Sequence, residues 1–121
     1  MSWSSAFFVV AVVVLFILWR RAGLVPFKAA VEYAKHGAIL IDVRSAAEYI
    51  AGHLPNAVNM PLSEIEELVP RKVKDKNRVL LLHCQSGMRS GAARKKLLSM
   101  GYTNTYNLGS YGRAEQVIKS R

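Results

Sequence analysis

Apolar positions along most of the chain follow two spacings in turn. "FKAAVEYAKHG" (27–37) places Phe27, Ala30, Val31 and Ala34 on one helical face, with Gly37 as its stop. "AILIDV" (38–43) is a short branched run that reads as a strand buried on both faces. "SAAEYIAG" (45–52) opens with Ser45 and Glu48 in capping-box spacing and ends at Gly52. "HLPNAVNMP" (53–61) reads as a loop with a short strand around Val58. "SEIEELV" (63–69) repeats Ser-x-x-Glu, and Pro70 is expected to close it. "RVLLLHC" (78–84) is the strongest strand and is expected to be central. "SGAARKKLLSMGY" (90–102) predicts a helix with Ala93, Leu97 and Met100 inward and Gly101 as a left-handed cap. "NTYNL" (104–108) predicts a further strand, and "AEQVIKSR" (114–121) a terminal helix. Alternating helices and doubly buried strands predict an α/β fold: an open, mostly parallel β-sheet flanked by helices on both faces.

The opening stretch follows neither spacing. Residues Ala6–Trp19 carry no polar side chain, Trp3 and Trp19 bracket the run, and Arg20 and Arg21 follow it. The expectation is one transmembrane helix over residues 3–19, short but of spanning length. A cleavable signal peptide would place basic residues before the apolar run, and none is there. The charges after the run place the remainder in the cytoplasm, so the expected location is the inner (cytoplasmic) membrane, single-pass. The domains expected are residues 1–23, an anchor and its flanks, and residues 24–121, one globular domain, with "GLVP" (23–26) as linker.

The 17 Lys and Arg outnumber the 8 Asp and Glu, giving a net charge of +9 that belongs entirely to the part after Trp19. Two clusters stand out, "RKVKDKNR" (71–78) and "RKK" (94–96). They read as a solvated loop and a solvated helix face. No aromatic interleaving or nucleic-acid motif accompanies them, so nucleic acid is not expected as a partner. The single cysteine, Cys84, excludes an intramolecular disulfide and a multi-cysteine metal site, and no metal and no cofactor are expected.

Cys84 stands where ligands bind in such sheets, at the carboxyl end of the strongest strand. Behind it comes "CQSGMRS", a turn running into a helix. Backbone N–H groups in the turn, the helix N-terminus, the conformational freedom of Gly87 and the charge of Arg89 all favour thiolate over thiol. Two chemistries suit such a nucleophile. Phosphoryl transfer by tyrosine-phosphatase-like enzymes uses a Cys, five residues and an Arg, whereas here only four residues separate Cys84 from Arg89. Sulfur transfer needs room for only one added sulfur, as a persulfide on the cysteine.

"LIDVRSAAEYIAGHLPNAVNMPL" (40–62) and "VLLLHCQSGMRSGAARKKLLSMGY" (79–102) together resemble the two signatures of single-domain rhodaneses, the sulfurtransferase family. The resemblance covers the chain from about Phe27 onward. It implies a rhodanese-like sheet and a persulfide carried by Cys84. Gln85, Ser86, Gly87, Met88 and Arg89 would be the active-site loop and substrate cradle. Asp42 and Arg44 would be supporting residues joined by charged hydrogen bonds. His53 is expected to be structural, the His83 ring to point away from the pocket, and His36 to be solvated or capping. The partners implied are a small sulfur donor such as thiosulfate, a thiophilic acceptor that includes protein thiols, and, through residues 3–19, the lipid bilayer. An anchor before such a domain resembles a bacterial arrangement. The stretch "NLGSYGRA" (107–114) departs from the family, with Leu108-Gly109 in place of paired glycines and Tyr111 as the only aromatic residue, which bears on the pocket rim. A phosphatase or arsenate reductase on the same fold, and a non-catalytic binding module at the membrane, remain the alternatives.

Overall fold

The computed structural model describes residues 2–21 and 23–121, and for residues 19–21 the backbone alone. Ten principal elements run in the order α1 (Trp3–Arg21), α2 (Phe27–Lys35), β1 (Ile39–Asp42), α3 (Ala46–Ala51), β2 (Val58–Asn59), α4 (Ile65–Lys72), β3 (Leu80–His83), α5 (Met88–Ser99), β4 (Thr105–Gly109) and α6 (Tyr111–Ser120). The four strands form one sheet in the order β2-β1-β3-β4, parallel at every pairing. Parallel neighbours need crossovers, and the helices between strands supply them. The expected open α/β sheet is therefore present.

Successive side chains of β1 and β3 go to opposite faces. Ile41, Leu80 and Leu82 join Val69, Ala93, Leu97 and Tyr102 in a core beneath α4 and α5. Leu40, Leu81 and Leu108 join Ala30, Val31, Ala114 and Val117 in a second core beneath α2 and α6. The same alternation sends Cys84 to the first core and leaves His83 on the other side, beside Asp42, its register partner.

Several helix ends follow local chemistry. Ser45 and Glu48 form both halves of a capping box on α3. Gly37 and Gly101 take the positive φ values of 86° and 95° expected of helix stops. Three expectations need correction. Ser63 does not cap α4: it lies within a 3-10 turn, Leu62–Glu64, ahead of the helix. Pro70 does not close α4, which continues to Lys72. A proline leaves one carbonyl, that of Glu66, without its helical donor, and Glu66 is an exposed residue open to solvent. The last helix begins at Tyr111 rather than residue 114, because the Ser110 side chain accepts from the backbone N–H of Arg113.

The expected transmembrane span also lacks support. Among the described residues no helix is long and apolar enough to cross a membrane. The described apolar side chains run from Ala6 to Leu18, about 20 Å of helix at ~1.5 Å per residue against a hydrocarbon core of ~30 Å. The side chains of Trp19, Arg20 and Arg21, on which the anchor expectation leaned, lie outside the described ones. The described side chains of α1 are exposed throughout.

Beyond β1 the chain turns on a buried ion pair. Asp42, with no exposed surface, accepts from the Arg44 backbone N–H at 3.0 Å, from Arg44 Nε at 3.0 and 3.1 Å, and from Nη2 at 2.7 Å. Arg44 Nη2 also donates to the Gly52 carbonyl at 2.7 Å, which ties the end of α3 to the sheet. Asn59 Nδ2 donates to the carbonyls of Asp42 and Arg44, adding β2 to the same knot. Removing one charge of such a pair strands the other in the interior. Asp42→Asn is expected to destabilise the protein by about 3–5 kcal/mol, measured as the shift in urea unfolding of the full chain in detergent.

Candidate active site

Cys84 follows the last residue of β3 and is fully buried. Its Sγ accepts from the Gly87 backbone N–H at 2.9 Å and from the Ser90 hydroxyl at 3.5 Å. Burial pushes the thiol up. Hydrogen bonds from the Ser90 side chain and from the backbone of Ser90, Gly87 and Ser86 outweigh that cost and hold it below the ordinary thiol value. The N-terminus of α5 lies immediately beyond, where helix N–H groups favour negative charge.

The turn depends on two glycines. Gly87, the N-cap of α5, has φ +96°, and a Cβ there would come within 3.2 Å of Gly109 Cα. Gly109 has φ +92° and faces the Leu24 side chain. The loop is then fastened to the β4–α6 junction. Cys84 N–H donates to the Gly109 carbonyl at 3.2 Å, and Tyr111 N–H to the Gln85 carbonyl at 3.3 Å. Ser86 and Ser110 form an antiparallel bridge. Asn107 reaches across from β4, its Nδ2 donating to the Gly87 carbonyl at 3.3 Å while its Oδ1 accepts from Gly109 N–H. The stretch 107–114 thus forms one wall of the loop.

The residues named from sequence are placed as follows. Gln85, Ser86 and Met88 are exposed at the loop surface, and Gly87 supplies the N–H to sulfur. Arg89 sits in the first turn of α5, but its guanidinium is engaged elsewhere: Nη1 and Nη2 donate to Glu48 Oε1 and Oε2 at 2.6 and 3.0 Å. The Arg89 guanidinium, with the Ser45 backbone N–H, pulls the Glu48 carboxyl down to about 2. Asp42 and Arg44 lie behind the loop, and Arg44 sits 4.9 Å from the ring centroid of Tyr111.

None of the three histidines donates to the sulfur. His53 stacks on Tyr49 at 3.8 Å, and its Nδ1 donates to the Tyr49 carbonyl. His36 Nδ1 donates to the Glu32 carbonyl at the end of α2. His83 is buried edge-on to Tyr111, its Nδ1 donating to the Cys84 carbonyl at 3.1 Å. Its Nε2 has no hydrogen-bond partner and lies 3.7 Å from Asp42 Oδ2. Burial, the largest influence, lowers its basicity. Among the described residues no cluster of three or more His, Cys, Asp or Glu could hold a metal ion.

A matching family model, the rhodanese-like domain, covers residues 27–112. The chain belongs to the rhodanese-like domain family. Over 69 residues it is 41% identical to the thiosulfate sulfurtransferase PspE of Escherichia coli, a match covering 57% of this chain and 66% of that one. The chain thus spans just under two thirds of that relative's length. A solved structure described as a rhodanese with anions from E. coli is 36% identical with a TM-score of 0.61, covering 64% of this chain and 91% of that one. The human single-domain sulfurtransferase TSTD1 is 31% identical with a TM-score of 0.61, covering 75% and 90%.

Sequence reasoning missed the site roles of Ser90, Glu48 and Asn107. Ser90 had a signal, a hydroxyl residue one turn into the helix that follows the cysteine. The sequence pattern marks it only as a helix start. In the rhodanese-like loop it donates to sulfur, and its loss leaves burial opposed by fewer donors. Alkylation of Cys84 in the wild type is expected to persist below the ordinary thiol value of 9.0 and to fall only as pH drops through the lowered one. Ser90→Ala should move that midpoint upward, read from iodoacetamide rates across pH.

Proposed function

We propose that the chain is a rhodanese-type sulfurtransferase that carries sulfane sulfur as a persulfide on Cys84. The observation that carries this reading is the Sγ atom itself, met by the Gly87 N–H at 2.9 Å at the head of a helix. Residues 24–121 form the catalytic unit in this proposal, with Gln85–Arg89 as its substrate loop. The thiolate attacks the outer sulfur of a donor such as thiosulfate. The new S–S bond forms as the old one breaks, and sulfite leaves with the bonding pair. A thiophilic acceptor, such as cyanide or a protein thiol, then takes the outer sulfur, and Cys84 returns as thiolate. No general acid is required, because sulfite leaves as an anion. That suits a site in which the neighbouring His83 is turned to the other face of the sheet, its basicity lowered by burial.

The phosphatase reading has less behind it. The loop is one residue shorter than that chemistry uses, and Arg89 is held by Glu48. Incubation of the full chain with thiosulfate should add one sulfur atom to Cys84 by mass spectrometry, and cyanide should remove it as thiocyanate. Cys84→Ser should do neither. Retention of full partner recruitment by Cys84→Ser, with no persulfide from any sulfane donor, would instead favour a binding module.

The proposal extends to location: α1 associates with the cytoplasmic membrane, and the domain faces the cytoplasm. Support comes from the uncharged sequence Ala6–Leu18 and from the exposure of its side chains. The full chain is expected to sediment with membranes and to be released by deletion of residues 1–21. Recovery of the full chain in the soluble fraction would count against it.

A further inference from the structure

The loop has one cation, Arg89, and its charge is already spent. Glu48 takes both terminal nitrogens of the guanidinium in a paired, forked contact, with both side chains a little over a third exposed. Glu48 is itself held in place, since its carboxylate also accepts from the Ser45 backbone N–H and hydroxyl in the capping box of α3. Of the other cations nearby, Arg44 is bound by Asp42. Arg113 donates to the carbonyls of Leu108 and Val25, which leaves its charge in place. With Arg94 and Lys95 it lines the cleft beside Ser86–Met88, outside the loop itself. The exposed loop side chains Gln85, Ser86 and Met88 are uncharged.

A thiosulfate dianion must approach a thiolate, so the encounter gathers three negative charges. Within the loop, an arginine paired with Glu48 offers less against that repulsion than a free one would. A monoanionic thiosulfonate carries the same sulfane–sulfonyl bond with one charge fewer. We propose that Glu48 is a specificity-determining residue: by holding Arg89 it selects sulfane donors of low negative charge over dianionic thiosulfate. This rests on the sulfurtransferase reading. In both cases the Cys84 thiolate forms an S–S bond to the outer sulfur, the bond to the sulfonyl sulfur breaks, and sulfite or sulfinate leaves with the electron pair.

Glutamine also serves at the third position of a capping box, so Glu48→Gln removes the charge and keeps the cap of α3. The full chain would be assayed with thiosulfate and with methanethiosulfonate, cyanide being the acceptor for both. The wild type is expected to show the higher kcat/KM for methanethiosulfonate. Glu48→Gln should raise kcat/KM for thiosulfate relative to methanethiosulfonate by roughly three- to tenfold. The double variant E48Q/R89Q, again neutral at this pair, should return the ratio to near wild type. That provides a check even where the single variant folds poorly. An unchanged ratio in Glu48→Gln, or equal losses with both donors, would make the pair a structural clamp and overturn the proposal. Failure of both donors to load Cys84 in the wild type would instead overturn the sulfurtransferase reading beneath it.

Discussion

A sulfur anion inside a protein is stable only where hydrogen-bond donors replace the water it has lost. The architecture around Cys84 answers that requirement. The strand β3 runs through the middle of the sheet and brings the cysteine to its carboxyl end, fully buried. The chain must then reverse tightly enough to aim a backbone N–H back at the sulfur. That geometry needs a positive φ, and Gly87 supplies it. The reversal leaves Gly87 packed against Gly109 with no room for a Cβ between them. The last strand and the last helix are therefore as much part of the loop as its own residues are.

The supporting cast divides by face. Alternation along β1 and β3 puts Cys84 under α5 and puts Asp42 and His83 on the opposite side. Asp42 and Arg44 consequently do not touch the sulfur. They fix where β1 ends and where α3 begins, through Gly52 and the Asn59 bonds. Through α3 they fix Glu48, and through Glu48 they fix Arg89. A chain of charged hydrogen bonds thus runs from the sheet to the loop without reaching the reacting atom.

Most of the fold was legible because it rests on local patterns. Doubly buried strands announce themselves as unbroken apolar runs, and Ser45-x-x-Glu48 announces a capped helix. The placement of Cys84 was legible for a related reason, a lone cysteine between the strongest strand and a glycine-containing turn. The misread boundaries show the limits of local rules. Ser63 repeats the capping spacing of Ser45, yet a 3-10 turn uses it, and Pro70 is tolerated because the carbonyl it strands belongs to an exposed residue. The apolar N-terminal run has the composition of a membrane span, whereas its described part is too short for one.

The role of Arg89 was not legible, and the reason is general. An arginine beside a reactive anion reads from sequence as a ligand for anions. Whether it acts so depends on what else its five donors can reach, and that is a tertiary fact. Its partner Glu48 lies 41 residues away. Once the two meet, the arginine contributes stiffness to the loop and little net charge. Cysteine activation must then come chiefly from N–H and O–H donors, those of Gly87 and Ser90. Those donors act on the sulfur at contact distance, whereas the charge of the arginine is committed to Glu48. On the proposed reading, activation of the nucleophile is built into the turn, and the charge that a donor meets in the loop is set by the Glu48–Arg89 pair.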